Sequence, residues 1–301
     1  MSTNYSNLSR LRTIGSINQV FYPTNDEEIQ KIYIYAKNNS LIPFPLGGGS
    51  NTLIGHCIKY LIISDAKYEK QWEIQDEEQA TKERASDSLG MKRLIVSSNT
   101  NINYLIRKAS KLGLGGLEFL YGIPAHIGGL VYMNAGADNY RISDFLEWVI
   151  VVDENGKRIL YNKDIDFEYR KSNITGFITQ VCLNLNINDY SEDEVVNQKL
   201  HQEIITQYIN DRKEKQPIHL PNLGCFFKNT ASYPAGALID RVGLKGFSIG
   251  GAMVSPLHAN FLVNTGNATF EDFFFLINHI QKVILGRYGL KLELEVRLIN
   301  G

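Results

Sequence analysis

Helical spacing of apolar residues marks four segments of the chain. An amphipathic helix repeats every 3.6 residues, so its apolar side chains recur three and four positions apart. This spacing predicts helices after the polar run at residues 24–27 and over residues 101–112, 195–208 and 270–285. Thr269 directly precedes the last segment, and Asp272 comes three residues after Thr269, which is the spacing of a capping box.

Strand patterns fill much of the remaining sequence. They predict strands at residues 60–64, 93–97, 147–152 and 158–161, the last two joined as a hairpin by a turn at 153–156. In residues 292–298 apolar and polar residues alternate, which predicts a terminal strand with Glu293, Glu295 and Arg297 on one face. Residues 67–92 are charged and poor in apolar side chains, so we expect an exposed excursion there.

Helices and strands do not alternate regularly along the chain, which favours an α+β fold over a doubly wound parallel sheet. A polar, turn-rich stretch at residues 184–194 is the predicted main domain boundary. We expect one domain over residues 1–190, with an internal break near 66–92, and an α+β domain over residues 191–301. With 301 residues, the chain is long enough for more than one packed core.

Charge and cysteine content narrow the classes of function. Lys and Arg total 31 against 32 Asp and Glu, a net charge of −1, without the broad positive field that favours nucleic-acid binding. The three cysteines are far apart, which fits a reducing compartment. Residues 1–20 lack an apolar signal core, and no apolar run is long enough to span a bilayer. These features predict a cytoplasmic protein.

The cluster Gly47, Gly48, Gly49, Ser50 and Asn51 is the first candidate site. Glycines let the backbone turn tightly and bring N–H groups against an anion, and Ser50 and Asn51 add side-chain donors. No Gly-Lys-Ser/Thr follows, so the cluster is not a P-loop. The alternative is an ordinary flexible turn.

A second glycine-rich segment covers residues 122–137. It suits the close approach of backbone to an extended, flat ligand, and the alternative is a loop around a buried helix. The candidate contacts are Pro124, Gly128, Gly129, Asn134, Ala135 and Gly136.

Three isolated residues carry groups suited to catalysis. Arg170 follows an aromatic residue and has the side chain best shaped to bind a carboxylate, although most arginines are solvated surface residues. Cys225 could serve as a proton donor or nucleophile, whereas lone cysteines are more often small buried hydrophobes. Glu295 lies on the polar face of the predicted terminal strand, where solvation is the simpler interpretation. The histidines show no metal-ligand spacing, so we expect no metal site.

Seven motifs occur in a fixed order along the chain. They are Gly47-Gly48-Gly49-Ser50-Asn51, Gly116-Leu117-Glu118-Phe119 with Gly122-Ile123-Pro124, Met133-Asn134-Ala135-Gly136, Tyr169-Arg170-Lys171-Ser172, Gly224-Cys225-Phe226-Phe227-Lys228-Asn229, Gly243-Leu244-Lys245-Gly246 with Ile249-Gly250-Gly251, and Leu292-Glu293-Leu294-Glu295-Val296. Each motif alone is weak, but the ordered set is specific. Together they resemble the UDP-N-acetylenolpyruvoylglucosamine reductase (MurB) family, from about residue 13 to the end.

The resemblance implies a two-subdomain FAD-binding module of the vanillyl-alcohol-oxidase (PCMH) type and a C-terminal substrate domain. The length resembles the family's compact form, which lacks an extra substrate-covering loop. The resemblance further implies non-covalent FAD as cofactor, NADPH as co-substrate and a UDP-sugar enolpyruvyl ether as substrate. The implied reaction is reduction of UDP-N-acetylglucosamine enolpyruvate to UDP-N-acetylmuramate in peptidoglycan precursor synthesis.

The resemblance also implies a role for each catalytic candidate. Arg170 and Glu295 would stabilise the enolate that develops on the substrate, and Cys225 would protonate C2. The family usually has Ser at this last position. A thiol is a competent acid there because its reference pKa, about 8.5, is far below that of an alcohol.

Substrate contacts are implied for Lys228 and Asn229, and for Arg212 and Lys215, which stand where the family places basic residues near the UDP-sugar. His126 departs from the family, which usually has a small hydroxyl residue there; it could contact the FAD pyrophosphate or fill space. Two other functions stay open at this point: a different flavin oxidoreductase on the same FAD fold, and a non-catalytic protein that binds a nucleotide sugar or flavin.

Overall fold

The computed structural model describes residues 3–56, 59–76, 91–137, 139–187 and 194–300, which form a mixed helix and strand fold. The helices are α1 (Asp26–Asn38), α2 (Ile102–Ser110), α3 (Ile127–Tyr132), α4 (Glu194–Lys215), α5 (Ala235–Arg241) and α6 (Phe270–Tyr288). The strands are β1 (Thr3–Asn4), β2 (Ser16–Ile17), β3 (Val20–Phe21), β4 (Ile42–Leu46), β5 (Thr52–Ile54), β6 (Tyr60–Ser64), β7 (Trp72–Asp76), β8 (Met91–Ser97), β9 (Leu114–Gly115), β10 (Gly136–Ala137), β11 (Tyr140–Arg141), β12 (Leu146–Asp153), β13 (Gly156–Tyr161), β14 (Phe167–Glu168), β15 (Lys171–Ser172), β16 (Phe177–Ile187), β17 (Asn222–Cys225), β18 (Ser248–Ile249), β19 (Ala252–Val254), β20 (Phe261–Asn264) and β21 (Arg297–Ile299).

The chain forms two compact units, each assembled from separate stretches of sequence. The first unit contains Met1–Val20, Gly49–Ile62 and Arg212–Gly301, and the second contains Phe21–Gly48 and Ile63–Asp211. These units differ from a simple division into residues 1–190 and 191–301, because two N-terminal stretches belong with the C-terminal part. The predicted boundary point itself, at residue 190, lies outside the described residues.

The second unit is built on an antiparallel sheet of order β13-β12-β16-β8-β7, with β9 also paired to β16. The predicted hairpin is confirmed by β12 and β13, whose last pair is Asp153 with Gly156. The predicted helix at residues 101–112 is α2, whose apolar face packs into the core of this unit. Leu112 falls beyond its end and is 51% exposed.

The charged excursion at residues 67–92 contains a strand that sequence analysis missed. β7 pairs antiparallel with β8, and Trp72 lies opposite Val96. Its apolar residues Trp72 and Ile74 are half-buried against the core, while Glu73 and Gln75 are exposed. Only two apolar side chains were needed to form this edge strand, too few for a clear pattern. The rest of the excursion, residues 77–90, lies outside the described residues.

The first unit combines an antiparallel sheet of order β17-β20-β19-β18 with α5 and α6. The capping box predicted for α6 is present: the Asp272 N–H donates to the Thr269 hydroxyl, and the Thr269 N–H donates to the Asp272 carboxylate. β5 pairs in parallel with β21, so Leu53 lies opposite Leu298. Leu11 and Leu53 pack in the same core as α5 and α6.

The predicted strand over residues 292–298 is wrong in its extent, since only Arg297–Ile299 forms β21. The preceding residues pair with another partner: the Glu295 N–H donates to the Phe226 carbonyl over 2.9 Å, whereas the Arg297 N–H donates to the Asn51 carbonyl. The chain changes partner between these two bonds, but the predicted apolar face is kept, because Leu292, Leu294, Val296 and Leu298 all pack in the same core. α4 is also longer than predicted and reaches Lys215. None of the helices in the described part of the chain has the length and apolar composition needed to cross a membrane.

Candidate functional site

The glycine loop between β4 and β5 is shaped by close backbone approach. Gly49 has a φ of 62°, and a Cβ added there would lie 1.9 Å from the carbonyl oxygen of Leu8. Its own carbonyl accepts a hydrogen bond from the Arg10 N–H over 3.0 Å. Only glycine fits this position, so the loop has a fixed shape rather than that of a freely flexible turn.

Gly128 and Gly129, neighbours in the second glycine-rich segment, differ in their surroundings. A Cβ on Gly128 would lie 2.7 Å from the Cβ of Ser98, so Gly128 is required by packing. A Cβ on Gly129 would meet no atom within 4 Å, and Gly129 is exposed. Gly129 therefore presents its backbone to open space, as a ligand-binding glycine must. Gly136, in turn, packs closely on the carbonyl of Tyr140.

The remaining candidates of this segment lie around its core. Pro124 is half-buried. The Ala135 N–H donates to the Leu130 carbonyl over 2.9 Å. Asn134 is 2% exposed with a φ of 42°, and its side-chain amide donates to the Glu168 carbonyl over 3.1 Å.

Among the described residues of the second unit, four buried side chains have an oxygen with no hydrogen-bond partner. The atoms are Asp65 Oδ1, Ser98 Oγ, Asn99 Oδ1 and Asn134 Oδ1. Leaving such a group unsatisfied costs about 1–3 kcal/mol, so each calls for a partner such as water or a ligand. Ser98 packs against Gly128, and Asn134 belongs to the glycine-rich segment itself.

Arg170 occupies the turn of the short hairpin formed by β14 and β15. Its φ of 59° is in the left-handed region, which costs a residue other than glycine about 1–2 kcal/mol. The hairpin is held by the Ser172 hydroxyl, which donates to the Tyr132 carbonyl over 2.8 Å, and by the bond from Asn134 to Glu168. Arg170 thus lies, with a strained backbone, in a hairpin that is hydrogen-bonded to Tyr132 at the end of α3 and to Asn134.

Cys225 and Glu295 are brought together in the first unit. Cys225 ends β17, and the next carbonyl, that of Phe226, accepts the Glu295 N–H. The Asn51 side-chain amide donates to the Glu295 carbonyl over 3.2 Å. The hydrogen bond between Phe226 and Glu295 thus lies next to Cys225 as well. Asn51, at the end of the glycine loop, contacts Glu295.

The two described thiols differ in environment. Burial, followed by the nearby Glu147 carboxylate, raises the pKa of the Cys182 thiol to about 12, and this residue is fully buried in the sheet. Cys225 is only half-buried. A thiol held neutral in the core is inert, so Cys225 is the thiol available for chemistry. Cys57 lies outside the described residues.

The predicted substrate residues lie in three places. Lys228 is close in sequence to Cys225, and its Nζ lies 3.6 Å from the Glu293 carboxylate. The side-chain oxygen of Asn229 accepts the Ala235 N–H over 3.0 Å at the start of α5. Arg212 and Lys215 lie in the last turn of α4. Their contacts with a substrate stay predictions.

Asn260 was missed by sequence analysis. It is 2% exposed, its side-chain oxygen accepts the Phe227 N–H, and its side-chain amide donates to the Phe227 carbonyl. The Asn260 carbonyl also accepts the Phe226 N–H. These bonds fix the backbone immediately after Cys225. A lone asparagine in an apolar run gives no sequence signal of this role.

Among the described residues, no group of three or more His, Cys, Asp and Glu side chains is placed to hold a metal ion.

Comparison with known proteins assigns the family. Residues 17–160 match the family model described as FAD binding domain, and residues 216–299 match that of the UDP-N-acetylenolpyruvoylglucosamine reductase C-terminal domain. The UDP-N-acetylenolpyruvoylglucosamine reductase of Clostridium botulinum is 34% identical over 296 residues, 95% of this chain and 87% of that protein. The chain belongs to the UDP-N-acetylenolpyruvoylglucosamine reductase family. The predicted resemblance is therefore confirmed.

Two further relatives agree with this assignment. The reductase of Moorella thermoacetica is 35% identical over 278 residues, 92% of this chain and 85% of that protein. The crystal structure of the reductase (MurB) from Thermus caldophilus aligns with a TM-score of 0.76 and 28% identity, covering 100% of this chain and 98% of that one. The chain is accordingly an FAD-dependent oxidoreductase, with an FAD-binding module followed by a reductase C-terminal domain.

The residues present fit this cofactor. In the second unit, the open face of Gly129 offers backbone to a diphosphate. The Ser98 hydroxyl can donate to a phosphate oxygen, and the unpartnered oxygens of Asn99 and Asn134 can accept hydrogen bonds from hydroxyl or ring N–H groups.

Proposed function

We propose that this chain reduces UDP-N-acetylglucosamine enolpyruvate to UDP-N-acetylmuramate with NADPH, in peptidoglycan precursor synthesis. The observation that carries the proposal is the backbone pairing beside Cys225, in which the Phe226 carbonyl holds Glu295 and the Asn51 side chain holds Glu295 from the glycine loop. This arrangement joins a proton donor and a carboxyl group to the loop expected to bind the cofactor. The relatives from Clostridium botulinum and Moorella thermoacetica, both named UDP-N-acetylenolpyruvoylglucosamine reductase, support the same reaction.

The chemistry that bound FAD supplies is hydride transfer between NADPH and C3 of the enolpyruvyl group. Within the chain, the backbone of residues 47–51 and Gly129 and the side chains of Ser98 and Asn134 would hold it. We propose non-covalent binding because the contacts available there are hydrogen bonds from backbone and polar side chains.

The side chains of the site provide the proton and the charge stabilisation. The Cys225 thiol donates its proton to C2 of the substrate and is reprotonated from solvent. Arg170 stabilises the negative charge that develops on the substrate carboxylate through charge-assisted hydrogen bonds. Glu295 can assist at the same oxygen only as a protonated carboxyl group, because an ionised carboxylate has no hydrogen to donate.

Positive and polar groups recognise the UDP-sugar in this proposal. Lys228 is half-buried, and its ion pair with Glu293 keeps the ammonium near the strand that carries Cys225. Asn229, Arg212 and Lys215 complete the proposed contacts, the last two because a cationic side chain binds a diphosphate well. Cys182 and Cys225 are reduced thiols, which fits a reducing compartment, and we propose the cytoplasm.

Steady-state oxidation of NADPH tests the proposal. Purified holoenzyme should oxidise NADPH slowly alone and much faster when the enolpyruvyl UDP-sugar is added under exclusion of oxygen. A different flavin oxidoreductase would ignore this substrate, and a non-catalytic binding protein would bind it without consuming NADPH. Either of these results contradicts the proposed function.

A further inference from the structure

A histidine and a buried carboxylate form a pair beside the glycine loop. His126 Nδ1 lies 2.8 Å from Asp65 Oδ2. The Asp65 side chain is only 5% exposed, and its other oxygen, Oδ1, has no hydrogen-bond partner. The His126 side chain is 24% exposed. A buried carboxylate is costly unless it is paired, so the Asp65 side chain has a definite partner in His126.

The pair packs directly on the first two glycines of the loop. A Cβ on Gly48 would lie 3.3 Å from Cδ2 and 3.5 Å from Nε2 of His126. A Cβ on Gly47 would lie 3.5 Å from Asp65 Oδ2 and 3.7 Å from the His126 Cβ. The imidazole edge that carries Cδ2 and Nε2 therefore lies against the backbone of Gly48.

The protons on the two ring nitrogens determine what this edge of His126 can bind. When Nδ1–H is donated to Asp65, the ring is held in one orientation. Nε2 is then an acceptor in the neutral ring and a donor in the imidazolium. An imidazolium donor next to a glycine backbone matches the oxygen of a phosphate, with which it forms a charge-assisted hydrogen bond.

We propose that His126, positioned by Asp65, is a binding residue for the diphosphate of FAD beside Gly48. His126 replaces the small hydroxyl residue usual at this point of the family motif, so the contact is a property of this chain. The inference depends on the proposed function only through FAD binding, and its readout needs no substrate.

The rate at which the holoenzyme releases FAD tests the His126 contact. Diluted holoenzyme frees FAD, whose fluorescence rises as it leaves the protein. We expect release to be about 10- to 100-fold faster in His126→Ala and in His126→Phe, since a hydrogen bond to a charged group is lost in both. His126→Lys keeps a cationic donor and should stay within a few-fold of the parent. His219→Ala, at an exposed histidine, is the matched control and should not change the rate.

Two results would overturn the contact. Release from His126→Ala at the rate of the parent would mean that the side chain binds nothing. Slow release from His126→Phe together with fast release from His126→Ala would mean that only the packing of the ring matters. In the parent, added salt should speed release more than it does in His126→Ala, because a charged contact is screened.

A double-mutant cycle tests the positioning role of Asp65. Asp65→Asn, which preserves the shape of the side chain, should speed release in the parent but add nothing in the His126→Ala background. Fully additive effects would refute positioning and leave Asp65 a structural residue. Loss of substrate reduction with release kinetics as expected would contradict the proposed function alone, so the two failures are distinguishable.

Discussion

At residue 225 a thiol stands where the family motif usually has a hydroxyl group. In the proposed reaction the hydride and the proton come from different groups, so substitutions at Cys225 should separate the two half-reactions. In Cys225→Ala, NADPH should still bleach the flavin at nearly the parent rate. Its reoxidation by the enolpyruvyl substrate should slow by about 10²–10⁴-fold, the usual contribution of general acid catalysis.

Stopped-flow absorbance of the flavin measures both half-reactions of Cys225→Ala, with Cys225→Ser as the matched control. The serine variant restores the usual residue of the motif and should keep substantial activity. Reoxidation of Cys225→Ala as fast as in the parent would show that Cys225 is only a packed thiol.

Arg170 offers a second test at the residue scale, because its left-handed φ of 59° is unfavourable for any residue except glycine. Arg170→Gly and Arg170→Ala both remove the guanidinium, so both should reduce the substrate much more slowly. Arg170→Gly should unfold with a free energy about 1 kcal/mol higher than Arg170→Ala, since alanine keeps the strain. Chemical denaturation measures this difference. Equal stabilities would mean that the turn relaxes when Arg170 is replaced.

Single residues could be proposed from the sequence where their chemistry is distinctive, and their roles stay predictions. Arg170, Cys225 and Glu295 were candidates because of what their side chains can do, and the structure brings two of them together. Asn260 and the pair of His126 with Asp65 were not found, because each acts through a partner 33 or 61 positions away. A linear sequence does not display such pairings.

Among the elements, the strand that carries Cys225 depends on Asn260. Asn260→Ala would leave both the N–H and the carbonyl of buried Phe227 without their side-chain partners. We expect the free energy of unfolding to fall by about 2–6 kcal/mol, the sum for two unsatisfied buried groups. Asn278→Ala, at an exposed position of α6, should change it by less than about 0.5 kcal/mol. Urea denaturation gives both values, and a change in Asn260→Ala as small as the control would contradict this role.

Helices were predicted better than strands. The capping box and the periodic apolar face located α6, and local spacing located α2. The edge strand β7 was missed, and the terminal strand was placed over residues 292–298 instead of Arg297–Ile299. A helix is specified by neighbours in sequence, whereas a strand also depends on which distant segment pairs with it.

At the scale of the whole molecule, the same dependence on distant pairing explains why each unit is assembled from separate stretches of sequence. The first unit needs β5 as the parallel partner of β21 and Leu11 and Leu53 in its core. These contacts join residues from both ends of the sequence. Composition along the chain marked a polar stretch near residue 190, but it contains no information about which earlier segment completes the C-terminal core.

A fragment of residues 191–301 should therefore fail to fold alone. It lacks β5 and two fully buried leucines of its core, each of which contributes about 1.5–3 kcal/mol when buried. We expect no cooperative thermal transition in circular dichroism, while the full chain shows one. A sharp transition of the isolated fragment would contradict the discontinuous unit.

A single turnover without oxygen tests the central claim most directly. Holoenzyme is first reduced with one equivalent of NADPH and then mixed with UDP-N-acetylglucosamine enolpyruvate. The proposed function predicts that the flavin returns to its oxidised spectrum and that one equivalent of UDP-N-acetylmuramate forms. Flavin that stays reduced until oxygen is admitted, with the enolpyruvyl substrate recovered unchanged, would contradict it.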